Sequence, residues 1–204
     1  MTDPFAPSSH NPFDRGYYGP EELRTFGFAA VGEDVRISKT CTIIGLPNIT
    51  IGSHVRIDDK VTIIAASGRV SIGSYIHVGE SCYLSAAGGI TLSDFCGLSQ
   101  GVRVYSVTDD YGGDHLTNPT VPKGYLGLQI APVFLGRHVI IGSGSVILPG
   151  CTIGEGSSVG ALSLVRTSLD EWGVYAGTPA RWAKARSKKL LELEKQMMIE
   201  MQSP

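Results

Sequence analysis

The chain has 204 residues, 42% of them hydrophobic and 18% charged, with 26 glycines and a formal net charge of -2. That length suits one domain with a substantial core, and the lack of a basic excess excludes a general nucleic-acid binder, which must neutralise phosphates. No apolar run approaches the ~18 residues of a membrane-spanning helix, and the opening MTDPFAPSSH has neither the basic nor the apolar section of a signal peptide, so a cytoplasmic protein without membrane insertion is expected.

Residues 1–16, rich in Pro, Ser, Asn and Asp, read as an arm. Gly19–Arg24 then reads as a short helix. Pro20 suits its first position, Glu21 and Glu22 its first turn and Gly27 its end. Together these form an N-terminal section, 1–28.

From Val31 a period of six begins, and it is clearest from Leu135 to Val165. A helix repeats its apolar positions every three to four residues and a strand every two, so a strict six requires a chain that turns regularly. Such repeats are the signature of a β-helix, whose short strands stack coil upon coil. The aliphatic positions fall into three columns. The first holds Val31, Ile51, Ile72, Leu92, Leu135 and Ile153. The second holds Ile37, Ile57, Val78, Leu98, Ile141 and Val159, and the third Ile43, Ile63, Leu84, Val104, Ile147 and Val165. Three faces per turn predict an all-β solenoid, a triangular prism of about six coils over 29–176.

The step from third column back to first varies. Early coils carry turn-forming insertions there, such as Leu46-Pro47-Asn48, and one step ejects a long loop, roughly 105–132. A loop of that length in a regular repeat is usually functional. Cys41, Cys82, Cys96 and Cys151 form no CxxC pair and fall on small-residue positions, as buried core thiols in a reducing compartment would. After Val165 the repeat decays. Thr178-Pro179 reads as an N-cap and first-turn proline, and 180–201 as a helix with Leu190, Leu193, Met197 and Met201 on one stripe. A C-terminal helical segment, 177–204, is therefore expected, packing in cis or on a neighbouring subunit. Its basic cluster, Arg181, Lys184, Arg186, Lys188 and Lys189, reads by default as a solvated face.

The glycine-containing sixes, the ejected loop and the closing Ala176-Gly177-Thr178-Pro179-Ala180-Arg181 resemble the hexapeptide-repeat acyltransferases over residues 29–186. The similarity is to the galactoside, maltose and xenobiotic acetyltransferase branch and its relatives in bacterial surface-polysaccharide synthesis. The resemblance implies a left-handed parallel β-helix, a homotrimer, and acetyl-CoA bound in clefts between prisms. It also implies donor-binding roles for Ser143, Ala161, Arg166 and Arg181. Arg166 and Thr167 stand where the galactoside branch has a Thr-Lys pair.

Attack by a sugar hydroxyl on a thioester requires a base, and a positioned His suits that task. The family keeps such a His in the ejected loop, where this chain has His115, with Asp110 among the acids near enough to orient it. The galactoside branch places its His a few residues earlier, where this chain has Gly112-Gly113. His77, near a corner, and His138, read as facing outward where the loop returns, are the other candidates; His10 and His54 read as surface residues. The main expectation is O-acetylation of a sugar hydroxyl by acetyl-CoA. The alternative is N-acetylation of an amino group on a nucleotide-linked sugar, which needs less help from a base. A trimeric zinc carbonic anhydrase would need three His around an open metal position, and no metal is expected. A silent scaffold would not need the Ala161, Arg166 and Arg181 set.

Overall fold

A computed structural model describes residues 12–202. The first eleven residues, with most of the expected arm and His10, lie outside the described residues. Short strands form three parallel sheets whose order follows the three columns. On the first face the strands at Ala30–Val31, Ile49–Ile51, Val70–Ile72, Ile90–Leu92, Val133–Leu135 and Thr152–Ile153 pair in turn. The registers align Val31, Ile51, Ile72, Leu92, Leu135 and Ile153 directly above one another. The second and third columns stack in the same way.

Each column points into the prism. Ile57, Ile63, Leu84, Leu135, Ile141, Ile147 and Ile153 are completely buried. At about 1.5–3 kcal/mol for each aliphatic side chain removed from water, these columns supply most of the stabilisation. Close stacking explains the glycine that follows many first-column residues. A Cβ on Gly136 would stand 2.7 Å from the Glu155 nitrogen of the next coil. Cys82, Cys96 and Cys151 are buried among the aliphatics and Cys41 is half-buried, all as free thiols.

The corner between the first and second faces requires left-handed backbone. Asp34, His54, Tyr75, Phe95, His138 and Trp172 all adopt positive φ there, three residues after the inward residue. Each such residue costs roughly 1–2 kcal/mol. Stacking offsets this. His54 lies 4.7 Å from Tyr75, Tyr75 4.8 Å from Phe95 and Phe95 4.9 Å from His138, all nearly parallel. Pairs of this kind contribute about 0.5–1.5 kcal/mol each, so the ladder recovers part of the strain.

Helix α1 (Pro20–Thr25) lies where the sequence places it and buries Leu23. Three features differ from expectation. The solenoid extends into a seventh coil, in which Leu169 bridges to Ile153 and Tyr175 pairs with Val159 as an inward residue. The segment 180–189 is not helical. Arg181–Ala185 is an antiparallel strand on Gly173–Ala176, and helix α2 begins only at Leu190, spanning Leu190–Gln202. Finally, the half-buried stripe of α2 runs through Leu190, Glu194 and Met197, while Leu193 and Met201 are exposed.

Glu194 bonds both Arg137 and His138, and the Tyr75 hydroxyl reaches Met201 Sδ at 3.5 Å. The helix therefore packs in cis along the aromatic corner. Arg186 is no solvated cation: one guanidinium nitrogen donates to the carbonyls of His138, Gly156 and Ser157 at 2.8, 2.9 and 3.2 Å. No helix among the described residues is long and apolar enough to cross a membrane.

Candidate active site

The corner between the second and third faces carries a ridge of small residues. Ser99, Gly142, Gly160 and Ala176 each follow a second-column residue, and Arg181 pairs with Ala176 at the top. A Cβ on Gly142 would collide with the backbone of Ala161, and one on Gly160 would lie 3.1 Å from the Ala176 Cβ. Beside this strip the Leu162 nitrogen donates to Ser143 O at 2.9 Å, and Thr178 Oγ1 donates to Leu162 O at 3.2 Å. Ser143 and the exposed Ala161 thus line one continuous edge ending at the exposed Arg181. A long, thin coenzyme can lie against such an edge with backbone groups in reach, and a cation at its end suits a phosphate. Three of the four expected donor residues meet here. Arg166 does not: it stands at the far edge of the third face, two coils above Tyr105.

The ejected loop leaves that far edge after the strand Arg103–Tyr105. It is more ordered than the sequence suggests, since Val107–Thr108 pairs with Gln129–Ile130 and the Leu116 nitrogen donates to Tyr125 O at 2.9 Å. The loop folds over its own third face and encloses a cleft of about 760 Å³, lined by Arg103, Tyr105, Thr108, Asp109, Tyr111 and Val146 among others. That volume lies within the range of small-molecule sites.

The three candidate histidines lie apart, each held by its own carboxylate. His115 Nδ1 is 3.0 Å from Asp110 Oδ2, and the same carboxylate oxygen accepts the His115 backbone N–H at 2.9 Å. The hydrogen bond from His115, joined by backbone N–H groups including that of Gly112, holds the Asp110 carboxyl below its ordinary pKa. The pair orients the imidazole, as a general base requires, but it sits on the exposed side of the loop.

His77 lies on the second face with Nε2 2.7 Å from Asp58 Oδ2 and 3.1 Å from Arg56. Burial would raise the Asp58 carboxyl, but the hydrogen bonds and charges of His77 and Arg56 outweigh it and hold the group below its ordinary pKa. Burial, then the Asp58 charge, push the neighbouring Tyr17 phenol up to about 12. His138 does not face outward. It is 8% exposed, stacked on Phe95, with Nε2 2.7 Å from Glu194 Oε2. Its corner takes left-handed backbone, which turns the ring along the prism edge, so it is removed as a candidate base. Nor do the cysteines offer a nucleophile: burial pushes Cys82 up to about 11 and Cys96 up to about 12.

Sequence reasoning singled out Asp110 among the acids near His115, and it passed over Ser99. Asp109 lines the cleft, whereas Asp110 turns toward His115. Ser99 shares the small ridge positions of Gly142 and Gly160, and that shared register is the signal that could have found it.

Residues 132–167 match the bacterial transferase hexapeptide (six repeats) family. The dTDP-4-amino-4,6-dideoxy-D-glucose acyltransferase of Escherichia coli is 41% identical over 87% of this chain and 93% of its own length. AntD, an N-acyltransferase from Bacillus cereus solved in complex with dTDP and 3-hydroxybutyryl-CoA, superposes with a TM-score of 0.89 at 43% identity. It covers 93% of this chain and 100% of its own. A lipopolysaccharide biosynthesis O-acetyl transferase of Escherichia coli, WbbJ, is more distant, 27% identical over 78% of this chain and 88% of its own. The chain therefore belongs to the bacterial hexapeptide-repeat transferases, as a left-handed parallel β-helix acyltransferase that takes its acyl group from an acyl-CoA.

Proposed function

We propose that the enzyme is an N-acyltransferase whose acceptor is the amino group of a dTDP-linked 4-amino-4,6-dideoxyhexose. The observation that carries this reading is that the cleft under the loop is lined by a carboxylate, Asp109, and not by an imidazole. An amine already carries its nucleophilic lone pair and needs no strong base. A sugar hydroxyl does. The similarity to the Escherichia coli acyltransferase and to AntD supports the same acceptor class.

AntD has been crystallised with single substitutions at a serine and at an aspartate ten positions later. Ser99 and Asp109 form the only serine–aspartate pair of this chain with that spacing. In the proposed reaction the amine nitrogen attacks the thioester carbonyl. As the N–C bond forms, the Asp109 carboxylate accepts the proton that the nitrogen sheds. The Ser99 hydroxyl donates to the developing oxyanion. The C–S bond then breaks and the departing thiolate takes up a proton.

Within one chain Ser99 and Asp109 stand at opposite edges of the third face, with the strand Arg103–Tyr105 between them. A site containing both needs the ridge of one copy against the loop of the next. This supports a homotrimer with acceptor and donor meeting between prisms, and it would also bring Arg166 of one copy toward its neighbour's ridge.

The test is CoA-thiol release with dTDP-4-amino-4,6-dideoxyglucose and with the analogue carrying a 4-hydroxyl. Turnover of the amine alone is expected, and Asp109→Asn should lower it by about 10²-fold or more. Equal or preferential use of the hydroxyl compound would overturn the reading. O-acylation is the second reading, favoured by the His115–Asp110 pair. It requires His115→Ala to abolish turnover while Asp109→Asn does not.

A further inference from the structure

Packing does not explain the glycine at position 97. The outward residues of the second face stack in register as Arg36, Arg56, His77, Gly97, Ile140 and Ser158, and Gly97 alone among them lacks a side chain. Gly136 and Gly142 are required because a Cβ there would collide with the next coil. Gly97 is under no such demand. Its φ is not left-handed, and a Cβ would meet only Ile140 Cγ1, at an ordinary 3.7 Å. The missing side chain opens a notch in the face, between His77 on the coil below and the exposed Ile140 on the coil above.

The notch lies beside the reacting carbonyl. Gly97 precedes Ser99 by two residues of extended chain, about 7 Å, and both are half-buried. With the thioester at Ser99, the pantetheine arm occupies the ridge above and the acceptor arrives from the loop of the facing copy. Directly below Ser99 the ridge is closed, since Gly79 is buried and its nitrogen bonds Leu98 O at 2.8 Å. One course is left for the acyl chain, sideways over Gly97. At about 1.5 Å per carbon–carbon bond, an acetyl group stops short of the notch, whereas a four-carbon chain reaches it.

We propose that the notch at Gly97 is the acyl-chain subsite, and that it selects a donor longer than acetyl with a hydroxyl on its third carbon. The inference rests on the placement of the thioester at Ser99 proposed above, and it goes beyond that reading by naming the class of acyl group. Ile140 supplies an apolar edge for the carbon chain. His77 supplies the polar edge. Its 2.7 Å contact with Asp58 makes Nε2 the protonated nitrogen, and Nδ1 has no partner among the described residues. In the neutral ring Nδ1 accepts one hydrogen bond, which a hydroxyl can donate. A carboxylate on the chain would instead meet repulsion from Asp58.

The experiment is calorimetric titration of CoA, acetyl-CoA, butyryl-CoA and 3-hydroxybutyryl-CoA into the full-length protein, Gly97→Val and His77→Leu. Position 97 is open and His77 stands on the outer face, so neither substitution enters the core. The parent is expected to bind butyryl-CoA about tenfold more tightly than acetyl-CoA, and 3-hydroxybutyryl-CoA about fivefold more tightly again. Gly97→Val should lose both preferences while binding CoA and acetyl-CoA as the parent does. His77→Leu should lose only the preference for the hydroxylated chain. Equal affinity of the parent for the three acyl donors overturns the subsite. A Gly97→Val variant that keeps the four-carbon preference also overturns it, as does one that loses CoA itself, because the valine would then act on the arm or the assembly. Retention of the hydroxyl preference in His77→Leu overturns the choice of acyl group. No titration contains an acceptor, so an error in the acceptor class shows only in the turnover comparison above.

Discussion

Glu194 Oε2 lies 2.7 Å from His138 Nε2, joining the C-terminal helix to a histidine set in the corner of the fifth coil. Its other oxygen bonds Arg137, whose guanidinium lies 5.1 Å from the Phe95 ring centroid. One carboxylate thus serves two side chains of the aromatic corner. Glu194→Ala is expected to leave the nearly buried His138 without a partner, costing about 1–3 kcal/mol. Amide exchange across 190–202 should accelerate in that variant. Unchanged exchange there would show that the helix is held by its apolar contacts alone.

The Asp58 cluster predicts a pH dependence. Its carboxyl is held below the ordinary value of about 4, so the folded state binds that proton less readily than the unfolded state. A group with a depressed folded pKa contributes stability above its unfolded pKa, and that contribution is lost as pH falls through the folded value. Thermal melts of the wild type should therefore weaken from about pH 4 downward. Asp58→Asn should be less stable than wild type at neutral pH and show a shallower acid limb. A variant melting profile parallel to wild type across that range would remove Asp58 from the account.

Arg181 is exposed at the upper end of the small ridge, where a phosphate of CoA is expected to lie. Arg181→Ala should weaken CoA binding by about tenfold, the usual cost of losing a hydrogen bond to a charged group, without changing dTDP binding. Calorimetry with each ligand checks both halves. Equal CoA affinity in the variant would place the phosphate elsewhere.

The three columns were legible to the residue because every inward position in them is aliphatic and each coil repeats the same demand. The seventh coil was not, since Leu169 follows Val165 by four residues and a tyrosine fills the inward place at 175. Arg181–Ala185 looked helical because all five side chains are exposed, and exposed residues carry no period. Its strand character comes from the edge offered by Gly173–Ala176, a tertiary cause. His138 was misplaced for a related reason: hydropathy cannot report that left-handed backbone turns a polar ring along the corner onto Phe95. Of the expected donor residues, Ser143, Ala161 and Arg181 share one edge of the prism and Arg166 stands at another. The roles of Asp109 and Asp110 were inseparable in sequence, because which of two adjacent carboxylates turns to His115 is decided by the fold of the loop.

A stack of coils in which each touches only its neighbours should fray from its ends, one coil at a time. Helix α2 changes that. It starts beyond the seventh coil and runs back along the corner to Arg137 and His138 in the fifth coil and Tyr75 in the third. Peeling the last coils away therefore means detaching the helix from the middle of the prism as well. The strap closes an otherwise linear array into one cooperative unit, and it does so over the coils that carry Ser99, the ridge and the loop.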